Sequence, residues 1–264
     1  MTKEKEKIYA YKCNKETTKQ LSDQKELYCP FCQNHVIFKS GEVYTWHFAH
    51  ESNCTNKYIE NESEEHEKGK FFLLEWLRSC YPKAYVESEE YIPETRQSVD
   101  VYVQHLEGEL EGKKWVFEFQ RSELSAKEWK ERHDLYQQAG LQDFWVLDED
   151  VFLDFSTAKG IKDARKFINL EKVIFEEKGF VYFLNIETKV LTIDVYFSQK
   201  LHPQKGRDGI TRQTPYAYHE PLHHSQHLRQ IQVDMDESKT HGFLFYKELE
   251  TLIRKKFAEM PETK

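Results

Sequence analysis

The stretch WVFEFQRS, Trp115 to Ser122, decides the reading of this chain. Trp115, Phe117 and Phe119 alternate with Val116, Glu118 and Gln120. A strand of period two therefore sends the aromatic rings to one face and the acid and amide to the other. An ionised carboxylate between two phenylalanines is unremarkable on a solvated face. In a cleft it needs a partner, because burying an unpaired charge is costly.

Its neighbours point to a cleft. Upstream, RQSVDVYVQHL (Arg96 to Leu106) puts Val99, Val101 and Val103 on one face and Asp100 and Tyr102 on the other. The glycine-bearing turn EGELEG joins it to KKWVFEFQ, so the two strands are expected to pair, with Asp100 and Glu118 on one sheet face. Converging carboxylates repel unless a proton or cation lies between them, and a hard divalent ion, Mg²⁺ or Mn²⁺, suits an oxygen site of this kind. Either acid alone is equally at home on a solvated face; the pair with Gln120 makes the metal site the better reading.

Further out, the pattern predicts a helix over residues 61–80, strands at 84–92, 96–106 and 113–120, a helix over 125–140 and a buried strand, DFWVLD, at 143–148. Ser125 with Glu128 forms a capping box, and Gly140 is a C-terminal stop. The order helix, three strands, helix, strand describes an α/β core. In the first helix Glu62, His66 and Lys70 stand four apart and share a face, where they would present an acid, a proton carrier and a cation. In the second, Arg132 and Tyr136 are also four apart. They would either grip a phosphate or cover the edge of the core.

The first 58 residues have a different character. YCPFC supplies Cys29 and Cys32, WHFAH supplies His47 and His50, and VIFKSGEVYTW between them reads as a hairpin turning at Ser40–Gly41. Two such pairs can close a tetrahedral, structural zinc site, and a small module with little apolar content needs such a cross-link. Cys54 competes with either histidine for the fourth position.

The 264 residues fit one large domain or two modest ones. Five cysteines and a charged N-terminus without an apolar core segment argue against a disulfide-built secreted protein, making the cytoplasm the default expectation. A net charge of −8 excludes non-specific coating of nucleic acid, though not a DNA enzyme with acidic metal ligands. Beyond residue 150, residues 180–197 read as a hairpin, 201–215 as a long polar loop and 244–260 as an amphipathic closing helix. His219, His223, His224 and His227 are read as a polar surface segment in preference to a second metal site.

Helix, three strands, helix, strand, with Asp100 on one strand and Glu-x-Gln on another, resembles the PD-(D/E)xK nuclease superfamily. YCPFC, HFAH, ESEEH, SVDVYV, EFQRSELS, the Arg132–Tyr136 helix and FWVL together look like the competence protein CoiA family, over about residues 11–147. The resemblance implies a zinc-binding module (1–58), a restriction-endonuclease-like nuclease domain (59–150) and an α+β C-terminal region (151–264). It further implies a Mg²⁺- or Mn²⁺-dependent DNA nuclease acting in DNA processing or recombination during natural transformation, with DNA and recombination proteins as partners. Asp100 and Glu118 would bind the metal, with Glu62 and His66 as the helix contribution and Ser122 in the same motif. Gln120 stands where many relatives place lysine, so Lys70 or Arg132 would have to supply that charge. The alternatives are a DNA-binding accessory protein with a lapsed site and a nuclease acting against foreign DNA.

Overall fold

The computed structural model describes residues 8–9, 15–29, 32–39, 47–50, 63–153, 155, 169–195, 198–218, 224–236 and 241–259. It divides into two compact units, Met1–Glu62 with Glu90–Ser98, and Ser63–Glu89 with Val99–Lys264. Among the described residues no helix is long and apolar enough to cross a membrane.

The first unit holds β1 (Ile8–Tyr9), α1 (Lys15–Asp23), β2 (Leu27–Tyr28), β3 (Val36–Lys39) and β4 (His47–His50). β1 pairs parallel with β2, and β3 pairs antiparallel with β4 from Val36↔His50 to Lys39↔His47. The antiparallel hairpin is as expected but its register is not: a turn at Ser40–Gly41 would pair Lys39 with Glu42, whereas Lys39 pairs with His47, and the connection, residues 40–46, lies outside the described residues. The helix was not anticipated. Ser22 at its end accepts the Phe38 backbone N–H at 2.9 Å and so ties α1 to β3. Among the described residues of this unit, Leu27, Cys29 and Val36 are buried together, with Leu21, Cys32 and Phe38 packed against them.

The larger unit opens with α2 (Glu64–Cys80). Its N-cap Ser63 accepts the His66 backbone N–H, and Glu64, Glu65 and Glu67 fill the first turn, where the helix dipole favours negative charge. Then come β5 (Tyr85–Ile92), β6 (Gln97–Gln104), β7 (Lys114–Gln120), α3 (Ala126–Gln138) and β8 (Gln142–Asp148). α3 starts on the expected capping box of Ser125 and Glu128, and Gly140 just past its end has φ of 69°. The chain continues through α4 (Glu149–Phe152), α5 (Asn169–Lys178), β9 (Val181–Asn185) and β10 (Val190–Asp194), then β11 (Ser198–Lys205), β12 (Thr211–Tyr218), β13 (Ser225–His227), β14 (Gln232–Met235), β15 (Gly242–Phe245) and α6 (Glu250–Glu259).

Seven strands form one mixed sheet in the order β13-β10-β9-β8-β7-β6-β5. β7 pairs antiparallel with β6 and parallel with β8, which pairs parallel with β9. Every residue of β7 from Trp115 to Gln120 is buried, because helices cover both faces. On one face α2 meets the aromatic row, with Trp76 edge-on to Phe117 and Gly69 directly over the Phe119 ring. On the other, α3 lies over Glu118 and the Trp145 side of β8, with Trp129 edge-on to Trp145.

Two readings of the C-terminal third are corrected. Residues 201–215 are no loop: they lie in the β11–β12 ribbon, paired from Ser198↔Tyr218 to Lys205↔Thr211. The closing helix starts at Glu250, and LF before it belongs to the buried strand β15. The sheet also runs on across residue 150, where the fading sequence pattern suggested a boundary.

Candidate functional site

The β6–β7 ladder runs from Gln104↔Lys114 to Val101↔Phe117 and ends there. One residue further along β6, Asp100 replaces the missing rung. Its Oδ2 accepts the backbone N–H of Phe119 at 2.7 Å, and His66 Nε2 on α2 donates to the same oxygen at 3.3 Å. Both donors fall on Oδ2. A buried N–H at a parting of strands needs an acceptor, and a short acidic side chain on the neighbouring strand provides it.

Glu118 lies across the parting, 3% exposed. Its Oε1 accepts from Arg132 at 2.8 Å and from the Tyr136 hydroxyl. The two donors stand one turn apart on α3, and the Arg132 guanidinium also lies over the Trp145 ring at 5.0 Å. Burial pushes the Glu118 carboxyl up to about 7; the Arg132 charge opposes that rise and the Asp100 charge adds to it. Burial works to lower Arg132, but Glu118, Tyr136 and Asp100 together outweigh it and hold the guanidinium firmly protonated. Burial and Glu118 together push the Tyr136 phenol well up. The fold thus places two carboxylates within electrostatic reach, with a cation behind one of them.

Gln120 points to the same face of β7 as Glu118. Its Nε2 donates to the Ser122 carbonyl at 2.8 Å and to Ser122 Oγ at 3.0 Å, which leaves Oε1 as the atom turned away from that turn. Lys70, offered from sequence as a source of the missing charge, has its Nζ on Glu89 at 2.6 Å and on Glu67 at 2.8 Å. Arg132 and Tyr136 engage Glu118 in the buried layer, the core-covering option of the two weighed from sequence. Glu62 lies outside the described residues.

Sequence reasoning missed two groups. Arg121, next to Gln120, pairs with the fully buried Asp148 at the end of β8 and lies 3.9 Å from Glu65 on α2, so one guanidinium links both strands' ends to the helix that carries His66. The adjacency in EFQRS was its one signal. Asp143, also on the α3 face, accepts from His133 (2.8 Å), Gln137 (2.9 Å), Trp145 (2.7 Å) and Lys178 (2.6 Å), and so locks α3 and α5 to β8. No local spacing announces a partner 35 residues away.

In the smaller unit, ligand atoms of Cys29, Cys32 and His50 all lie within 4.8 Å of one another, close enough to hold one metal ion. His50 Nε2 is buried without a hydrogen bond, as expected of a nitrogen awaiting a metal. The His47 side chain, Cys54 and Cys13 lie outside the described residues, as do His219 and His223. His227 belongs to a strand, not to the helix that a His-x-x-x-His pair would need.

Comparison with known proteins returns two family models. Residues 62–202 match the competence protein CoiA nuclease-like domain, and residues 10–57 match the competence protein CoiA N-terminal domain. No curated protein and no solved structure matches. The first match alone spans over half of the chain and contains Asp100, Glu118 and Gln120, so the chain belongs to the competence protein CoiA family.

Proposed function

We propose that the larger unit is a Mg²⁺- or Mn²⁺-dependent DNA nuclease with a PD-(D/E)xK core, acting in DNA processing or recombination during natural transformation. The observation that carries this reading is the paired carboxylates at the parting of β6 and β7. Asp100 and Glu118 each commit one oxygen to protein donors, Oδ2 and Oε1, and leave the other for a shared cation. A buried carboxyl raised by its neighbour's charge is a group that a divalent ion would ionise, so the residues fit the metal.

Such an ion, once bound, would polarise the scissile phosphate and lower the pKa of an attacking water. The protein groups do the rest. His66 and the Phe119 N–H fix the Asp100 carboxylate. Arg132 and Tyr136 fix Glu118 and keep its charge tolerable in a buried layer. Gln120 offers Oε1 as a hydrogen-bond acceptor to orient that water. In the smaller unit, Cys29, Cys32 and His50 fit zinc as a soft, closed structural site, with the fourth ligand drawn from Cys54 or His47.

Purified protein should cut DNA with Mg²⁺ or Mn²⁺, and Asp100→Asn and Glu118→Gln should abolish cutting while the thermal transition survives. Unchanged cleavage in both variants would overturn the assignment.

One observation favours a second reading, a DNA-binding recombination accessory with a lapsed site. Gln120 carries no charge, and Lys70 and Arg132 are engaged with carboxylates. Binding without turnover, over long incubation with Mn²⁺, would select it.

A further inference from the structure

The chain is acidic overall, yet one segment reverses the sign. Residues 198–218 contain Lys200, Lys205, Arg207 and Arg212 against one acid, Asp208, in a chain of net charge −8. That segment is the ribbon of β11 and β12. It forms a two-stranded sheet of its own, separate from the seven-stranded one. Eight paired residues per strand give it a length of roughly 26 Å. Two-stranded ribbons are marginally stable alone, so one that carries its own charge pattern is a candidate for a binding partner.

Its tip is built, not frayed. The Gly206 N–H donates to the Ile210 carbonyl at 2.8 Å, and Gly209 takes φ of 76° to close the turn. Asp208 Oδ1 accepts the Ile210 N–H at 3.0 Å, while the Asp208 carboxylate holds both terminal nitrogens of Arg212. The single acid therefore serves to shape the turn and aim one arginine. Lys205 and Arg207 are exposed and have no ion-pair partner among the described residues. Ile210, a branched apolar side chain at the very end, is 56% exposed.

We infer that this tip is a duplex-DNA-binding arm, with Lys205, Arg207 and Arg212 on backbone phosphates and Ile210 against the sugars and base edges of a groove. Two-stranded ribbons fit the major groove, about 12 Å wide, and apolar tips on basic arms are suited to the narrower minor groove. Cations gathered at the end of a separate two-stranded ribbon attract phosphates that the acidic remainder of the chain repels. The inference rests on the nuclease reading and adds what that reading lacks, a place for the substrate's backbone. The CoiA nuclease-like match ends at residue 202, inside β11, so the tip lies beyond it.

The test is fluorescence anisotropy of the full chain on a labelled duplex, in buffer without Mg²⁺ or Mn²⁺, across a salt series. Replacing the three tip cations together (Lys205→Gln, Arg207→Gln, Arg212→Gln) should weaken binding at least tenfold at low salt. It should also make the log–log salt slope shallower by about 2 to 3, at about 0.9 for each phosphate no longer neutralised. Ile210→Ser should weaken binding severalfold and leave the slope unchanged. Circular dichroism should show the same melting transition in all variants. An unchanged slope in the triple variant, in a protein that still binds and cuts duplex, would overturn the arm and spare the nuclease. Equal losses on single-stranded DNA or RNA would overturn the commitment to a duplex. Arm-dependent duplex binding by a protein that never cuts would support the arm and sink the nuclease.

Discussion

Asp100 Oδ2 and the backbone N–H of Phe119 are joined at 2.7 Å where a rung between β6 and β7 would otherwise stand. One side chain therefore both closes the sheet and offers an oxygen to the site. Asp100→Asn keeps an acceptor for that N–H and should retain the fold while eliminating metal-dependent cutting. Asp100→Ala should in addition lose about 1–3 kcal/mol, the cost of an unmade buried bond. Chemical denaturation of the two variants, read beside plasmid nicking, separates the roles.

Arg132 tests what the α3 side chains do. Truncating it strands Glu118 in the buried layer, so Arg132→Ala should destabilise the protein by about 3–5 kcal/mol and abolish cleavage as well. A residue that merely gripped phosphate would leave the melting temperature alone and raise KM. Tyr136→Phe, which removes the second donor, should cost less, about 1–2 kcal/mol.

Gly69 is predicted to be intolerant. A methyl group there would overlap the Phe119 ring, and Phe119 carries the N–H that holds Asp100. Gly69→Ala should therefore lower stability by about 1–3 kcal/mol, as overpacking does, despite alanine's better helix propensity. Cutting should fall further than the drop in folded fraction explains. A variant as stable and active as the parent would refute the coupling.

Acid should loosen the α3–β8–α5 junction. Burial alone would raise the Asp143 carboxyl, but Lys178 and His133 outweigh it and hold the group well below the usual carboxylate range. A folded pKa below the unfolded value means the group contributes stability above about pH 4, lost as pH falls toward the folded value. Unfolding free energy should thus decline steeply below about pH 4. Asp143→Asn should flatten that slope and cost about 1–3 kcal/mol at neutral pH, since it removes the charge that half-buried Lys178 and buried His133 share, with Glu177 still 3.5 Å from His133.

Metal analysis should find one zinc per chain, lost on Cys29→Ser or His50→Ala. Stripping it should expose Met1–Glu62 to protease, because Cys29 itself belongs to the buried cluster with Leu27 and Val36, so loss of the metal would loosen the packing around it. Full protection after removal of the metal would argue against the site.

Period-two alternation in SVDVYV and WVFEFQ, with a capping box at Ser125, located three strands and a helix from sequence, because these elements bury one clear face each or carry local end signals. What sequence missed has physical reasons. That α3 covers the Glu118 side of the cleft was not read, since nothing in a strand's alternation says what covers its polar face. The β11–β12 ribbon was read as a loop because its sequence carries no apolar period to detect, and Pro203 and Pro215 mimic breakers. Leu244 and Phe245 of β15 were taken into the closing helix, as a short apolar run fits either state. The Asp143 network joins residues too distant for any spacing rule.

The parallel pairing of β8 with β9 has a consequence for how the protein can be divided. Ending the chain at residue 150 would strip β8 of its neighbour and leave an apolar, fully buried strand as a naked rim, the kind of edge that recruits other chains into aggregates. The nuclease-like match is therefore not cut cleanly at residue 150: the strands that follow are part of the same wall, and any minimal folded fragment must extend through β10.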